Sequence, residues 1–393
     1  MANTYISAVG MTAYLNTDQI TTPTLKTNAT YVYLNYNCAD MFYGCSNLVM
    51  NPSIFNYKYV NNMSNMYYKC NKITGSPQCG PNTTNMYSAY DRCYNITGSP
   101  VCGNNVTDME YAYYSCNNLT GSPVCGSNVV KMYDAYSQCT NLTGSPACGP
   151  NVKNMDYAYC RCEKLTGSPV CGPNVINMSH TYDRCINLKG QPVCGSNVVN
   201  MSFAYNNCFN ITGSPVCGPN VKNMLYTYAN CYNISGTPAV GSKVTSMQHA
   251  YYNCNFGNVS VNCGSNVVDM SYSFYNCGLK NANIIISSTY LNNLNNAFKD
   301  CKPSNIIIDG GSFTSDSQID NAFISSISDI RTNIYLSNKV IGREYFTSNN
   351  LKIYGCNFNI YDYSSGNITL AGKSYPYNES YFNVACNIYL FIQ

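Results

Sequence analysis

The chain has 393 residues, of which only 10% are charged, and its formal net charge is +3. With so few charged residues and so small a net charge, the chain lacks the basic surface that is typical of nucleic-acid-binding proteins. The sequence also contains no acidic tail. The polar surface is therefore expected to come from Asn, Thr, Ser and the 39 tyrosines. Such a surface would be neutral, aromatic and rich in hydrogen-bonding groups.

Residues 1–37 do not fit the pattern of the rest of the chain. The run Thr30–Leu34 alternates in the way of a β-strand, so we predict a capping or attachment segment with some strand structure. The first ten residues have no basic stretch and no long apolar run, so we expect no secretory signal peptide. No run of about 18 apolar residues occurs anywhere, so membrane insertion is not predicted.

A single motif recurs from residue 38 onwards. Its clearest copy spans residues 105–126, and its methionine, Met109, returns at intervals of 23 residues. The methionines of this column are Met63, Met86, Met109, Met132, Met155, Met178, Met201, Met224, Met247 and Met270. A fixed period in the twenties is typical of a solenoid, in which each unit stacks on its neighbours. We predict about thirteen coils over residues 38–330.

The first half of the motif is predicted to be helical. Met109, Ala112, Tyr113 and Cys116 fall at positions i, i+3, i+4 and i+7, which lie on one face of a helix of about two turns. The residue before the methionine, such as Asp108, is of a type that caps helix starts.

The second half of the motif is predicted to be a short strand of a parallel sheet. Residues 259–263, 282–286 and 306–308 alternate apolar and other side chains at this place. By the same parity Pro123 and its equivalents point inward. Because proline cannot donate to a sheet, the sheet should be narrow where the motif contains it.

Most of the 24 cysteines form two columns. The first contains Cys45, Cys70, Cys93, Cys116, Cys139, Cys162, Cys185, Cys208, Cys231, Cys254, Cys277 and Cys301, and the second contains Cys79, Cys102, Cys125, Cys148, Cys171, Cys194, Cys217 and Cys263. Val240 replaces one cysteine of the second column, which indicates a slot for a small apolar side chain. The main prediction is a ladder of reduced cysteines that pack as small hydrophobes. Disulfides between stacked coils remain the alternative.

Asparagines form a further column, which includes Asn105, Asn128 and Asn151. Asn at a turn bonds neighbouring backbone, so these side chains are expected to link one coil to the next. Beyond residue 330 the motif gives way to plain strands, predicted at residues 333–336, 351–354, 367–370 and 383–391. Residues 331–393 are therefore predicted to form a small β cap or terminal module.

The repeat resembles the BspA-like leucine-rich repeat. Residues 38–45 and 63–70, with Met41–Phe42 and Met66–Tyr67 each followed by a cysteine, match its Met-Phe-x-x-Cys form, and the resemblance covers about residues 38–326. It implies an α/β solenoid with a parallel β-sheet on one side and short helices on the other, acting in adhesion or protein binding. It carries no catalytic residues. The Gly-Ser-Pro-Val-Cys-Gly stretch and the lack of a signal peptide depart from the family.

No enzyme chemistry is predicted. His180 and His249 are the only histidines, they lie three repeats apart, and both are expected on the surface. Cys160 lies next but one to Cys162 of the core column, a poor match for zinc-ligand spacing. We predict no catalytic residues, no metal and no cofactor.

Two surfaces are candidates for binding. Outward-facing valines form an apolar stripe that could dock another subunit, or that simply reflects the preference of strands for valine: Val101, Val124, Val170, Val193 and Val216. Outward tyrosines could stack on sugars, or could be ordinary exposed tyrosines: Tyr111, Tyr133, Tyr157 and Tyr226.

The function expected from these features is that of a non-catalytic structural or attachment protein. A virion surface component, such as a phage head or tail fibre or decoration protein, is the first hypothesis, because of the absent signal peptide and the low charge. The alternative is a bacterial or protist cell-surface adhesin of the BspA-like kind. Expected partners are other structural subunits, or a protein or glycan of a host surface, and homo-oligomerisation is left open.

Overall fold

The structure is a computed structural model, and the chain divides into two compact units, Met1–Asn197 and Val198–Gln393. It describes residues 4–6, 32–301, 303–323, 332–337, 339–342, 345–346, 366–370, 373–377 and 388–391.

The first unit begins with a small parallel sheet. Its strands are β1 (Thr4–Ile6), β2 (Val32–Leu34) and β3 (Phe55–Asn56), in the order β1-β2-β3. A 3-10 helix, Pro52–Ile54, immediately precedes β3. The strand predicted within residues 30–34 is thus confirmed, and it pairs both with an amino-terminal strand and with a strand of the following repeat.

The second unit contains a five-stranded parallel sheet with the order β10-β7-β6-β5-β4, an antiparallel pair β8–β9, and a 3-10 helix, Asp316–Gln318. The strands are β4 (Val261–Cys263), β5 (Asn283–Ile286), β6 (Asn305–Ile308), β7 (Asn333–Ser337), β8 (Gly366–Leu370), β9 (Lys373–Tyr377) and β10 (Ile388–Phe391). Strands were predicted at all of these places except β9, and the prediction for residues 351–354 lies outside the described residues. In β4 and β5 the predicted inward residues are buried.

The predicted short helices are absent from the described residues, which contain no α-helix. The eight residues that start at each repeat methionine, such as 109–116, instead form consecutive turns, and we call them the turn segment. In this copy Tyr111 and Ser115 have φ angles of 56° and 58°, in the left-handed region. An α-helix cannot continue through residues with these φ angles. The i, i+3, i+4, i+7 spacing therefore reflects which residues of the turn segment are buried.

Hydrogen bonding between repeats explains why the turns replace the helix. The N–H of Tyr111 donates to the carbonyl of Tyr133 at 2.9 Å, and that of Tyr113 donates to Ala135 at 2.9 Å. An isolated eight-residue helix would leave four N–H groups and four carbonyls at its ends without partners. Left-handed residues turn alternate N–H groups towards the next repeat, where they find acceptors.

The residue before each methionine also has a different role from the one predicted. Asp108 accepts from the N–H of Glu110 at 3.0 Å, as a capping side chain would, but the bond closes a turn. The same residue forms a parallel bridge with Lys131 of the next repeat. The sequence signal for a polar side chain bonded to nearby backbone was therefore correct, and the helix inferred from it was not.

The core consists of stacked columns. Met109, Ala112, Tyr113, Cys116 and their equivalents are buried in the described repeats. In the first unit five thiols of the first cysteine column donate to a tyrosine carbonyl of the preceding repeat, as Cys139 does to Tyr113 at 3.0 Å; the others are Cys93, Cys116, Cys162 and Cys185. The described cysteines are free thiols. The asparagine column links repeats as predicted, for example through Asn128 Nδ2 and the Asn104 carbonyl at 2.9 Å.

Tyrosine hydroxyls complete the hydrogen bonding of the extended segments. Tyr136 donates to the carbonyl of Val124 at 2.6 Å and accepts from its N–H at 3.3 Å. The neighbouring Pro123 cannot donate a backbone hydrogen bond. In the turn segments that follow β5 and β6, the same core column holds Phe298 and Phe323. There the strands pair with one another, so the backbone groups have ladder partners and no hydroxyl is needed.

Candidate functional site

The predicted valine stripe is only half-exposed. Val101, Val124, Val170 and Val193 in the first unit and Val216 in the second are all half-buried. The backbone of Val101 is bonded in both directions by the hydroxyl of Tyr113, as in the repeat of Val124. These hydrogen bonds hold the backbone of the extended segment and do not involve the valine side chains, so the docking role of the stripe and its alternative both stay predictions.

The predicted tyrosines of the first unit do come together. They form an aromatic row on the outward side of the turn segments, made of Tyr87, Tyr111, Tyr133, Tyr157 and His180. The first three ring pairs meet edge to face with centroids 6.0, 5.2 and 6.1 Å apart, whereas the last pair is stacked at 4.3 Å. His180 is thus part of an aromatic surface and is half-buried, in contrast to the simple surface histidine expected.

A second row of side chains runs along the same turn segments. Tyr43 stacks on Tyr68 with centroids 4.7 Å apart. The guanidinium of Arg92 lies over the rings of Tyr68 and Tyr114, and its Nη1 donates to the Tyr68 hydroxyl at 3.3 Å. Gln138 continues the row by donating to Tyr114 at 2.8 Å. This row is polar and cationic at intervals, and we call it the mixed row.

Two open grooves are lined by members of both rows. The first has a volume of about 390 Å³ and is lined by Tyr43, Asn65, Tyr68, Tyr87, Ser88, Asp91, Arg92 and Tyr111. The second has a volume of about 450 Å³ and is lined by Tyr114, Tyr133, Asp134, Ser137, Gln138, Tyr157, Cys160, Arg161, His180, Asp183 and Arg184. Both volumes fall in the range of small-molecule pockets, and both grooves combine aromatic rings with charged groups.

Asp91 is the most unusual group of the first groove. It is only 5% exposed, and its Oδ1 has no hydrogen-bond partner. Arg92 Nε lies 3.8 Å from that oxygen, beyond hydrogen-bond distance. Burial raises the pKa of Asp91 to about 6, against the opposing effect of Arg92 and Lys69.

The second groove also contains a buried carboxyl. Asp134 is 8% exposed, and burial raises its pKa to about 6, with a hydrogen bond from Ser137 acting in the other direction. His180 Nδ1 lies 3.3 Å from Asp183 Oδ2. Cys160, the extra cysteine of the sequence, is buried in this wall, and burial raises the pKa of its thiol to about 12. A thiol in that state is a poor nucleophile, because the thiolate is the reactive form.

The second unit carries a different outward surface. Tyr226, predicted as a binding residue, stacks on His249 at 4.1 Å, and His249 stacks on Tyr272 at 4.6 Å. Burial lowers the pKa of His249. Beside these rings a ladder of asparagine amides replaces the charged residues of the first unit, formed by Asn207, Asn230, Asn253 and Asn276. This unit therefore keeps the aromatic stacking but has neutral amides in place of carboxylates and guanidinium groups.

The buried carboxyls were missed by the sequence reasoning. Asp91 and Asp183 occupy the position five residues after the repeat methionine, where neighbouring repeats have Tyr114, Ser137 and Cys160. The chain has only 18 acidic residues, so the presence of two aspartates at the same repeat position could have indicated a functional site. The helix prediction concealed it, because this position could be taken as solvent-facing.

Within the described ranges, no three His, Cys, Asp or Glu side chains converge closely enough to hold a metal ion. None of the helices described in the structure has the length and apolar character needed to cross a membrane.

Comparison with known proteins adds one family match. Residues 27–96 match a family described as "Mycoplasma protein of unknown function, DUF285". This match is consistent with a BspA-like repeat protein. No curated protein and no solved structure shows a significant match to the chain.

Proposed function

We propose that the protein is a non-catalytic attachment or structural protein, folded as a leucine-rich-repeat-like solenoid, whose turn segments present a binding surface. The observation that carries this proposal is the pairing of the aromatic row and the mixed row in the first unit, with two open grooves between rings and charged groups. The repeat solenoid itself is supported by hydrogen bonds that join neighbouring repeats within each unit, mostly at offsets of 22 to 24 residues.

The variation of side chains within the chain supports a binding role for this surface. The buried positions of the turn segment hold the same residues from repeat to repeat, as in Met109 and Met132 or Tyr113 and Tyr136. Two residues after the methionine, by contrast, stand Tyr111, Asp134, Tyr157 and His180 in successive repeats. Stacking of the repeats constrains the residues of the core columns, so the residues that line the grooves are free to be adapted to a partner.

The biological setting we propose first is the surface of a virus particle, where the chain would bind other subunits or a protein or glycan of the host. Its low charge and neutral polar surface motivate this setting. The second candidate is a cell-surface adhesin of a bacterium or protist, of the BspA-like kind with which the repeat match of residues 27–96 is consistent. In both settings the ends of the chain, residues 1–37 and 331–393, would provide anchoring or capping.

Fractionation of the native source tests the proposal. Virus-like particles, cell envelope and cytosol are separated, and the polypeptide is quantified in each fraction by mass spectrometry. Recovery in particles at a fixed copy number is the expected result for a virion component, and recovery in the envelope is expected for the adhesin. Recovery in the cytosol alone, with neither particles nor envelope containing the chain, contradicts the attachment proposal in both forms.

A further inference from the structure

The groove around Asp91 contains a buried carboxylate that is ion-paired with Arg92 at 3.8 Å but lacks a hydrogen-bond partner at Oδ1. Asp91 Oδ1 is shut off from solvent without a hydrogen-bond partner, although buried polar groups are nearly always bonded. The equivalent positions of the next two repeats hold Tyr114 and Ser137, so stacking of the repeats does not require an acid here. A buried carboxylate in the wall of a groove, with an oxygen that accepts no hydrogen bond, points to a ligand that donates to it.

The surroundings of Asp91 restrict the chemistry of that ligand. Arg92 and Lys69 both act electrostatically on the carboxylate, so its negative charge is already partly balanced. Because Asp91 and Arg92 carry opposite charges side by side in the groove, an ion of either sign meets both an attracting and a repelling group. A neutral ligand with several hydroxyl groups avoids this repulsion, because hydroxyls donate to a carboxylate and accept from a guanidinium.

The groove also offers apolar surface on two sides. Tyr43 and Tyr68 form a stacked pair, and Tyr87 and Tyr111 form an edge-to-face pair, and all four line the groove. Tyr87 is 37% exposed, so part of its ring is available. Aromatic rings beside polar groups suit a ligand that has one apolar face and a polar edge.

We propose that this groove binds one ring of a neutral oligosaccharide, with sugar hydroxyls donating to Asp91 and accepting from Arg92, and the C–H face of the ring packed on a groove tyrosine. The arrangement needs only a small adjustment, because rotation about the last torsion of an aspartate is easy and turns either carboxylate oxygen towards the groove. Arg92 keeps donors for the ligand, since a guanidinium has five and one bonds the Tyr68 hydroxyl. This inference rests on the attachment function proposed above and names its ligand class.

The test uses the full chain on an array of immobilised glycans that includes neutral hexose and N-acetylhexosamine oligosaccharides, sialylated glycans and sulfated glycans. We expect binding to neutral members. Asp91→Asn should weaken it by about tenfold or more, because a charge-assisted hydrogen bond is lost. The matched control is Asp156→Asn, which removes another first-unit carboxylate whose Oδ1 lacks a partner but which does not line this groove. It should leave binding within about twofold of wild type.

A second pair of variants tests the aromatic wall. Tyr87→Ala should weaken binding, whereas Tyr36→Ala should not, because Tyr36 is 61% exposed and lies outside the groove lining. Thermal unfolding of each variant shows that it is folded. Unchanged binding by Asp91→Asn, a preference for sialylated or sulfated glycans, or no binding to any neutral glycan would each overturn the inference. If the native protein is nevertheless recovered on particles or envelope, the attachment proposal survives that result.

Discussion

In two sets of repeats, the backbone N–H and carbonyl groups of the extended segment obtain their hydrogen-bond partners in different ways. In the first unit, Tyr136 follows an extended segment that contains Pro123, and its hydroxyl bonds both backbone groups of Val124. In the second unit, Phe298 follows β5, which pairs with β4 on one side and β6 on the other. Each repeat is counted here from its extended segment to the turn segment that follows. We call these bridged and laddered repeats.

Comparison of the bridged and laddered repeats identifies the role of the hydroxyl groups in the tyrosine column. The rings stack in nearly the same way in both sets, with centroids 5.4 and 5.5 Å from their neighbours for Tyr136 and 5.5 and 5.9 Å for Phe298. Packing therefore does not distinguish the two residues. The hydroxyl occurs where the ladder is missing, since buried backbone groups need partners. Tyrosine and proline are thus a matched pair within the bridged repeat.

Removing the whole ring should have the largest effect, and a similar one in both sets. Tyr136→Ala and Phe298→Ala are each expected to lower the free energy of unfolding by about 3–5 kcal/mol, because both leave a cavity in a stacked column. Tyr136→Ala should lie at the upper end, since it also removes the hydroxyl. Urea unfolding monitored by circular dichroism measures both. A large loss in one variant and none in the other would break the equivalence of the two rings.

Removing the hydroxyl alone should separate the two sets. Tyr136→Phe is expected to cost about 1–3 kcal/mol, because the N–H and carbonyl of Val124 lose a buried partner. The matched control is Tyr133→Phe, whose ring lies in the outward aromatic row and bridges no extended segment. That substitution should change the free energy of unfolding by about 0.5 kcal/mol or less. Equal effects of the two substitutions would contradict the bridging role.

Substitution of the groove residue Asp91 should stabilise the protein at neutral pH, whereas the substitutions of Tyr136 destabilise it. Asp91 has its pKa raised from 3.8 to about 6, so the folded state binds its proton more tightly than the unfolded chain does. This proton-linked stability is fully present below pH 3.8 and is lost as the pH rises through about 6. Asp91→Asn should therefore stabilise the protein at pH 7, by about 1–2 kcal/mol, and have little effect near pH 3.5. Unfolding curves at both pH values test this, and destabilisation at pH 7 would contradict it.

The second cysteine column should make the bridged repeats sensitive to alkali. Burial raises the pKa of Cys125 from 9.0 to about 11, so its contribution to stability is present below pH 9 and is lost as the pH rises towards 11. Ile286 takes this slot in a laddered repeat. Cys125→Val should remove about 1 kcal/mol of the stability loss between pH 8 and pH 10. The check is a pair of unfolding curves at these pH values, and an unchanged loss would show that Cys125 does not contribute.

The sequence was informative where a side chain repeats at a buried position. Its 23-residue period identified the core columns, and alternation identified β4 to β6 because each inward residue there is apolar. The turn segments were misread as helices because Met109, Ala112, Tyr113 and Cys116 are buried at a spacing that a helix would also give. Positive φ at Tyr111 depends on hydrogen bonds to the next repeat, and such longer-range partners leave no local signal.

The candidate site was predicted only in part, for a related reason. Tyr111, Tyr133 and Tyr157 were identified as outward residues, and they do lie in one row. Asp91 was not identified, because its burial depends on side chains from adjacent repeats, such as Tyr68 and Tyr111. Composition and spacing could show that carboxylates are rare in this chain, but not that one of them is enclosed.

Native-state hydrogen exchange at the Val124 amide tests the central claim most directly. In the wild-type protein this N–H is bonded to the hydroxyl of Tyr136, so its exchange should be slow and should accelerate strongly in Tyr136→Phe. Amides of the laddered strand β5 should keep their wild-type rates in the same variant. Fast exchange at Val124 in the wild-type protein, or unchanged slow exchange in Tyr136→Phe, would contradict the account of tyrosine as the substitute for the missing ladder.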